Sequence, residues 1–351
     1  MFLIGSIEEC ICICGSEIDT KEAISQVEAK NSPLYEHKNF ESSELAQPML
    51  VKGNEKMGLK NTGLTCYFNS ALNSLYFVPQ FHHFFSAEEQ PSDPQLIVLL
   101  KRFVRNYGKK DLPRDLLTSI RHAVPSYRHE RMGSAYEFIL SLLQRADEEV
   151  GSYVEMDSVP SGEQWKRELA RQKLSGCQPL HDIFSVVVEE TVTCSKCHNF
   201  ISRYLYNRSF SIDLGASIEN CLGNYLSEVK RSEPYYCACK ACRTTQVHTI
   251  ERSLKHIGTA LIIHLKRYDS SNPHTKVEVP KFLDMSTYLQ GAGTYYLCSA
   301  VHHSGSVASG HYTCYARTED DWMYFNDRHV SIHFECPREL RASTFFIYAS
   351  A

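Results

Sequence analysis

Two segments near opposite ends of the chain carry the residue types that thiol chemistry needs. In residues 58–70 (GLKNTGLTCYFNS), two glycines and Asn61 precede Cys66, which opens a run with helical spacing. A thiol at a helix N-terminus meets the positive end of the dipole and several unpaired N–H groups, which favours the nucleophilic thiolate. Asn61, across the turn, can aim its amide at an oxygen gaining negative charge beside the sulfur. One such donor lowers a barrier by about 2.7–4 kcal/mol.

The second segment, residues 303–312 (HSGSVASGHY) and then 322–327 (WMYFND), supplies a base. Gly310 lets a substrate backbone come close to His311. Asn326 is expected on the neighbouring antiparallel strand, accepting the His311 Nδ1–H and fixing the tautomer, so that Nε2 takes the Cys66 proton. Asp327 is expected to face the other side of a regular strand and to play a supporting part. His82, His83, His264 and His302 read as packing residues.

A different chemistry is written in Cys194-x-x-Cys197 and Cys239-x-x-Cys242, separated by residues 198–238. Two such knuckles supply four thiolates for a tetrahedral zinc ion. Cys237 is a near neighbour that could replace Cys239 with different geometry.

The elements that position these groups follow from periodicity. Apolar residues at helical spacing predict helices from Cys66 to Val78, Leu96 to Tyr107 and Ala135 to Val150. From Asp182 onward the texture turns to β-branched and aromatic alternation, with strands expected at residues 184–188, 261–265, 295–300 and 345–348. Helices first and strands afterwards predict an α+β fold and not a doubly wound parallel sheet. Residues 15–55 are polar and aperiodic, so residues 1–55 read as a flexible extension, with structure starting near Met57.

Composition bounds the function. Of 351 residues, 43% are hydrophobic and 22% charged, as in a soluble globular protein, and the net charge of −4 is spread along the chain. No basic block points to nucleic acid, and no apolar run is long enough to span a membrane. The fourteen cysteines lack the spacing of a secreted disulfide framework, so a reducing compartment, cytoplasmic or nuclear, is expected. The start, MFLIGSIEECICICG, makes a poor signal peptide because Glu8 and Glu9 interrupt it.

Residues 58–70 and 303–331 resemble the Cys and His boxes of the ubiquitin-specific proteases, deubiquitinating cysteine peptidases with papain-like machinery. Residues 263–268 (IHLKRY) are similar to that family's strand leading out of its metal module. The resemblance covers about residues 57–348. It implies a hand-like fold: a helical thumb (about 57–181), zinc-tipped β fingers (about 182–260) and a β palm (about 261–351). Cys66 would lie on the thumb, and His311 with Asn326 on the palm. Ubiquitin or a ubiquitin-like modifier would be the partner, its Gly-Gly tail threading the cleft beside Glu137, Gly310 and Tyr312. The sequence departs from the family at residues 132–138 (MGSAYEF), where Met132 and Ser134 replace the usual Gln and Asp. Losing that carboxylate removes a charge-assisted hydrogen bond of about 1.5–3 kcal/mol. Two readings follow: an active isopeptidase, and a scaffold that holds the modifier with little turnover. A lysosomal papain-like peptidase fits worse, for want of a signal peptide and disulfides.

Overall fold

A computed structural model describes residues 51–350, apart from 55–56, 110–111, 130–131, 152–162, 227–234, 240, 269–273, 307–308 and 320. The proposed extension therefore falls almost wholly outside the described residues, as do Cys10, Cys12 and Cys14. Its last part does not. Val51 is buried and Asn54 donates to the Gly108 carbonyl at 3.2 Å, so the folded unit begins by residue 51, ahead of the expected boundary.

Among the described residues seven α-helices precede the first strand: α1 (Cys66–Tyr76), α2 (Pro79–Ser86), α3 (Gln95–Asn106), α4 (Arg114–Ala123), α5 (Ala135–Val150), α6 (Gln164–Ser175) and α7 (Gln178–Ile183). The expected helices correspond to α1, α3 and α5. The α1 helix is buried on every side, and its sequence carries no charged residue, its polar positions being Asn69, Ser70, Asn73 and Ser74. Ser134 starts α5, its hydroxyl accepting the Glu137 N–H at 3.3 Å. Periodicity missed α6 because it is mostly polar, with Leu169 its only buried residue.

The strands form two sheets. The smaller has the order β2-β1-β5-β4, where β1 is Val186–Cys194, β2 Phe200–Asn207, β4 Tyr235–Cys239 and β5 Thr244–Ile257. It is held across its middle by Glu190, 3% exposed, whose carboxylate is shared between Arg203 on β2 and Arg252 on β5. Register puts both arginines directly opposite Glu190. Two cations and their hydrogen bonds compensate a charge that would otherwise be costly to bury.

The larger sheet runs β11-β10-β9-β8-β12-β6-β3, with β7 (Phe282–Asp284) on β8. Its strands are β3 (Ser209–Ile212), β6 (Ala260–Leu265), β8 (Thr294–Gly305), β9 (Gly310–Arg317), β10 (Trp322–Asn326), β11 (His329–His333) and β12 (Phe345–Ser350). Alternation divides the core cleanly. Phe345, Ile347 and Ala349 of β12 pack with the helices, while Phe346 and Tyr348 pack on the opposite face. Both faces are covered, so the central strands read as continuous apolar runs. A helix, α8 (Ile218–Leu226), lies in the β-textured half and helps to cover that second face. The expected finger span of 182–260 thus includes β3, which pairs in parallel with β6 of the larger sheet.

The smaller sheet is anchored near its base by Ser185, which pairs with His256 Nε2 at 2.9 Å. Burial, with Lys173 adding to it, pushes the His256 imidazole down to about 4. A base held below its unfolded value of about 6.5 stabilises the protein fully above that pH. The contribution is lost as pH falls from about 6.5 to 4, with a slope of about 1.4 kcal/mol per pH unit. Melting His256→Gln beside the parent between pH 7.5 and 4 should give a shallower acid loss for the variant. Identical slopes would remove His256 from the account.

Candidate active site

The loop before Cys66 is folded by Asn61. Its side-chain oxygen accepts from Gly63 N at 3.0 Å, Thr65 N at 3.2 Å and Thr65 Oγ1 at 3.1 Å. Gly63 (φ 104°) and Leu64 (φ 54°) both adopt left-handed backbone, which reverses the chain so that α1 can begin at Cys66. The Asn61 amide nitrogen donates to Asp327 Oδ2 at 3.0 Å. One of its two hydrogens is therefore committed, leaving the other for an oxyanion.

On the opposing sheet, His311 and Tyr312 sit at the start of β9, which packs directly on α1. The backbone N–H of Tyr312 acts on the Cys66 thiol in the direction that favours ionisation. Asn326 ends β10, and its amide oxygen lies 2.7 Å from His311 Nε2. The expected ring orientation is therefore reversed. Nε2 carries the hydrogen that Asn326 accepts, and Nδ1 is the nitrogen left to act as base. The physical reason is that an amide at the end of β10 reaches the outer edge of the imidazole.

Cys66 also differs from its expectation. Burial raises its thiol above the ordinary value, outweighing the N–H groups of Tyr312, Tyr67 and Cys66 itself, and the Asp327 charge adds to the rise. The helix N-terminus lowers the cost of ionisation here without making the thiolate the resting form.

Asp327 does not point away. Its φ of 52° breaks strand alternation just past β10 and turns the carboxylate towards the thiol loop. There it accepts from Asn61 and, at 2.8 Å, from Asn69 Nδ2, one turn beyond Cys66 on α1; Oδ2 lies 3.9 Å from His311 Nε2. Its backbone oxygen accepts Leu59 N at 2.9 Å, and Asn69 Nδ2 also reaches Leu59 O at 3.2 Å. No role was expected for Asn69. Its spacing of three from Cys66, on the same helix face, was the available signal.

Of the expected tail-contacting residues, Glu137 is exposed on the first turn of α5. Burial pushes the Tyr312 phenol up to about 12, with Ser134 acting against the rise. Ser134 stands at the position of the missing family Asp and caps the start of α5. Gly310 cannot carry a side chain, because a Cβ there would come within 2.2 Å of His303 Nε2. The His303 ring, bonded to the Tyr268 hydroxyl, tilts against Tyr312 with centroids 4.3 Å apart. His264, read as packing, stacks on Tyr136 at 4.0 Å and pairs with Ser211.

At the far end of the small sheet, the sulfurs of Cys194, Cys197, Cys239 and Cys242 lie within 4.8 Å of one another. The residue after each knuckle, His198 (φ 58°) and Arg243 (φ 53°), is left-handed, so both turns close alike. Cys197 and Cys239 Sγ are 3.6 Å apart, against the roughly 3.8 Å that tetrahedral Zn–S bonds of about 2.3 Å require. The Cys197 N–H pulls the Cys194 thiol down to about 6. The four thiols fit a metal ion.

The α+β architecture, with a cysteine opening a helix that packs on the strand of a histidine, is that of the papain-like cysteine peptidases. The family model described as ubiquitin carboxyl-terminal hydrolase matches residues 57–348, and the chain belongs to that family. It is 25% identical over 305 residues to mouse ubiquitin carboxyl-terminal hydrolase 17-like protein D, covering 78% of this chain and 51% of that one. Against human ubiquitin carboxyl-terminal hydrolase 3 the identity is 25% over 335 residues, covering 78% and 64%. The chain thus spans about half to two thirds of the length of these relatives. Among solved structures, the SAGA DUB module Ubp8(C146A)/Sgf11/Sus1/Sgf73 bound to monoubiquitin matches with a TM-score of 0.64 at 19% identity, covering 87% of this chain and 72% of that one. That likeness shows the fold.

Two outcomes follow from the site. Asp327→Ala strands two amide donors in a half-buried place and should cost about 2–4 kcal/mol. In a cycle with Asn69→Ala, the two losses should be coupled by at least about 0.5 kcal/mol; strict additivity would rule out the bridge. Elemental analysis of purified protein should find one metal per chain, lost in Cys239→Ser, and a metal content indifferent to that change would exclude the cluster as the site.

Proposed function

We propose that this chain is a deubiquitinase, hydrolysing the isopeptide or peptide bond after the C-terminal glycine of ubiquitin or a ubiquitin-like modifier. The observation that carries it is that β9, which bears His311, packs on the helix that Cys66 opens, with His311 Nε2 held at 2.7 Å by Asn326. Membership of the hydrolase family supports the same reading.

His311 Nδ1 takes the Cys66 proton as sulfur attacks the glycine carbonyl, which suits a thiol that burial keeps protonated at rest. The tetrahedral oxyanion accepts hydrogen bonds from the Cys66 N–H and the remaining Asn61 N–H. His311 returns its proton to the leaving amine, a thioester forms, and water, deprotonated by His311, releases the modifier's carboxylate and the thiol. Asp327 supports the base by holding Asn61 and α1 in place and by its negative charge near an imidazolium. Glu137, Gly310 and Tyr312 line the path of the modifier's tail, with Ser134 in place of a carboxylate weakening its hold.

The metal of the four cysteines is zinc in this reading, because four thiolates in two tight knuckles suit its tetrahedral preference. It would tie β1 and β4 together at the tip of the small sheet and take no part in the reaction. The helices form the thumb, the small sheet the fingers and the large sheet the palm. Ten cysteines are free of disulfides among the described residues, which suits a cytoplasmic or nuclear address. No helix among the described residues is long and apolar enough to cross a membrane.

Ubiquitin and ubiquitin-like proteins carrying a C-terminal electrophile should form an adduct with one probe that Cys66→Ala abolishes. His311→Ala should slow it by about 100-fold or more. Folded, metal-loaded protein that reacts with none of them would replace this proposal with the non-catalytic scaffold.

A further inference from the structure

A cavity of about 210 Å³ lies behind the thiol loop, on the side of α4. Its walls carry four cationic side chains, Lys60, Arg114, Arg121 and Arg328, and no carboxylate among the described residues. Lys60, Arg114 and Arg328 are exposed at the rim. Arg121 is different. It is only 6% exposed, it lines the cavity, and among the described residues its guanidinium has no hydrogen-bond or ion-pair partner. Its charge is set in the cavity wall, where an anion supplied from outside would meet it.

The rest of the lining suits the same ligand. Thr62 and Thr118 offer hydroxyls, and the volume holds one or two phosphate groups and no more than a short chain. Arginine's planar fork matches phosphate oxygens bidentately. Four positive charges around so small a space select a compact, multiply charged anion over a single carboxylate.

We propose that this cavity binds a phosphate or diphosphate group, presented either by a small free polyphosphate or by a phosphorylated side chain of another protein. Its location gives the binding a consequence. Gly58, Leu59, Lys60 and Thr65 belong to the loop that delivers Cys66, and Asn69 and Arg328 flank Asp327. A bound anion would brace that loop against the segment after β10, and so tune the thiol site. The binding stands independently of the proposed hydrolase activity; the effect on rate rests on it.

The test uses the full chain in low salt, where such attraction is least screened. Calorimetry with pyrophosphate, and separately with a phosphoserine peptide and its unphosphorylated twin, should give saturable 1:1 binding to at least one phosphorylated probe. Arg114→Gln, an exposed change that spares folding, and Arg121→Gln should each weaken it tenfold or more. Binding of pyrophosphate alone assigns a free ligand, and binding of the phosphopeptide assigns a protein one. No saturable binding of either, equal binding of the unphosphorylated peptide, or parental affinity retained in either variant would overturn the site. At saturation the rate of Cys66 adduct formation should change at least threefold. An unchanged rate with binding intact removes the regulatory part, whereas no adduct under any condition counts against the hydrolase and leaves the anion site standing.

Discussion

The carboxylate of Asp327 is the joint on which the site depends. It is a single charged group, 15% exposed, that accepts from the thiol loop through Asn61 and from α1 through Asn69, while its own strand carries Asn326 against His311. Helix and sheet come from different halves of the chain, and apolar packing between them is non-directional. It brings the two layers together without fixing their register to the fraction of an ångström that proton transfer needs. Charge-assisted hydrogen bonds are directional and short, and here they fix the layers at the point where the thiol meets its base.

The same division of labour recurs across the molecule. The large sheet is buried on both faces, which supplies rigidity. The small sheet has less apolar surface and relies on discrete ties: the Glu190–Arg203–Arg252 bridge in its middle, His256 with Ser185 at its base and four thiols at its tip. Each tie fixes one level of an extended element that has no thick core beneath it.

The departure from the family pattern at Ser134 also finds a structural use. A carboxylate there would have been available to a bound tail. The shorter hydroxyl instead starts α5, accepting the Glu137 N–H at 3.3 Å. The exchange trades a charged contact with a ligand for a neutral contact within the protein, and leaves the thiol, the imidazole and the Asn326 amide untouched.

The sequence by itself determined the order of the layers and singled out the residues that could do chemistry. Cys66, His311, Asn326 and the four clustered cysteines each sit in a local pattern of turn, spacing or knuckle that short-range geometry dictates. The helices α1, α3 and α5 and the central strands were legible from periodicity, since burial on a regular element imprints its period. Tertiary structure alone decided what passes between distant segments. It set which imidazole nitrogen faces Asn326, that a left-handed Asp327 turns inward to hold Asn61 and Asn69, and that burial raises the Cys66 thiol against the helix dipole. It also placed β3 within the larger sheet and set Arg121 in the wall of a cavity. Those outcomes depend on where side chains end in space and on how much water surrounds them, and neither quantity is carried by local sequence.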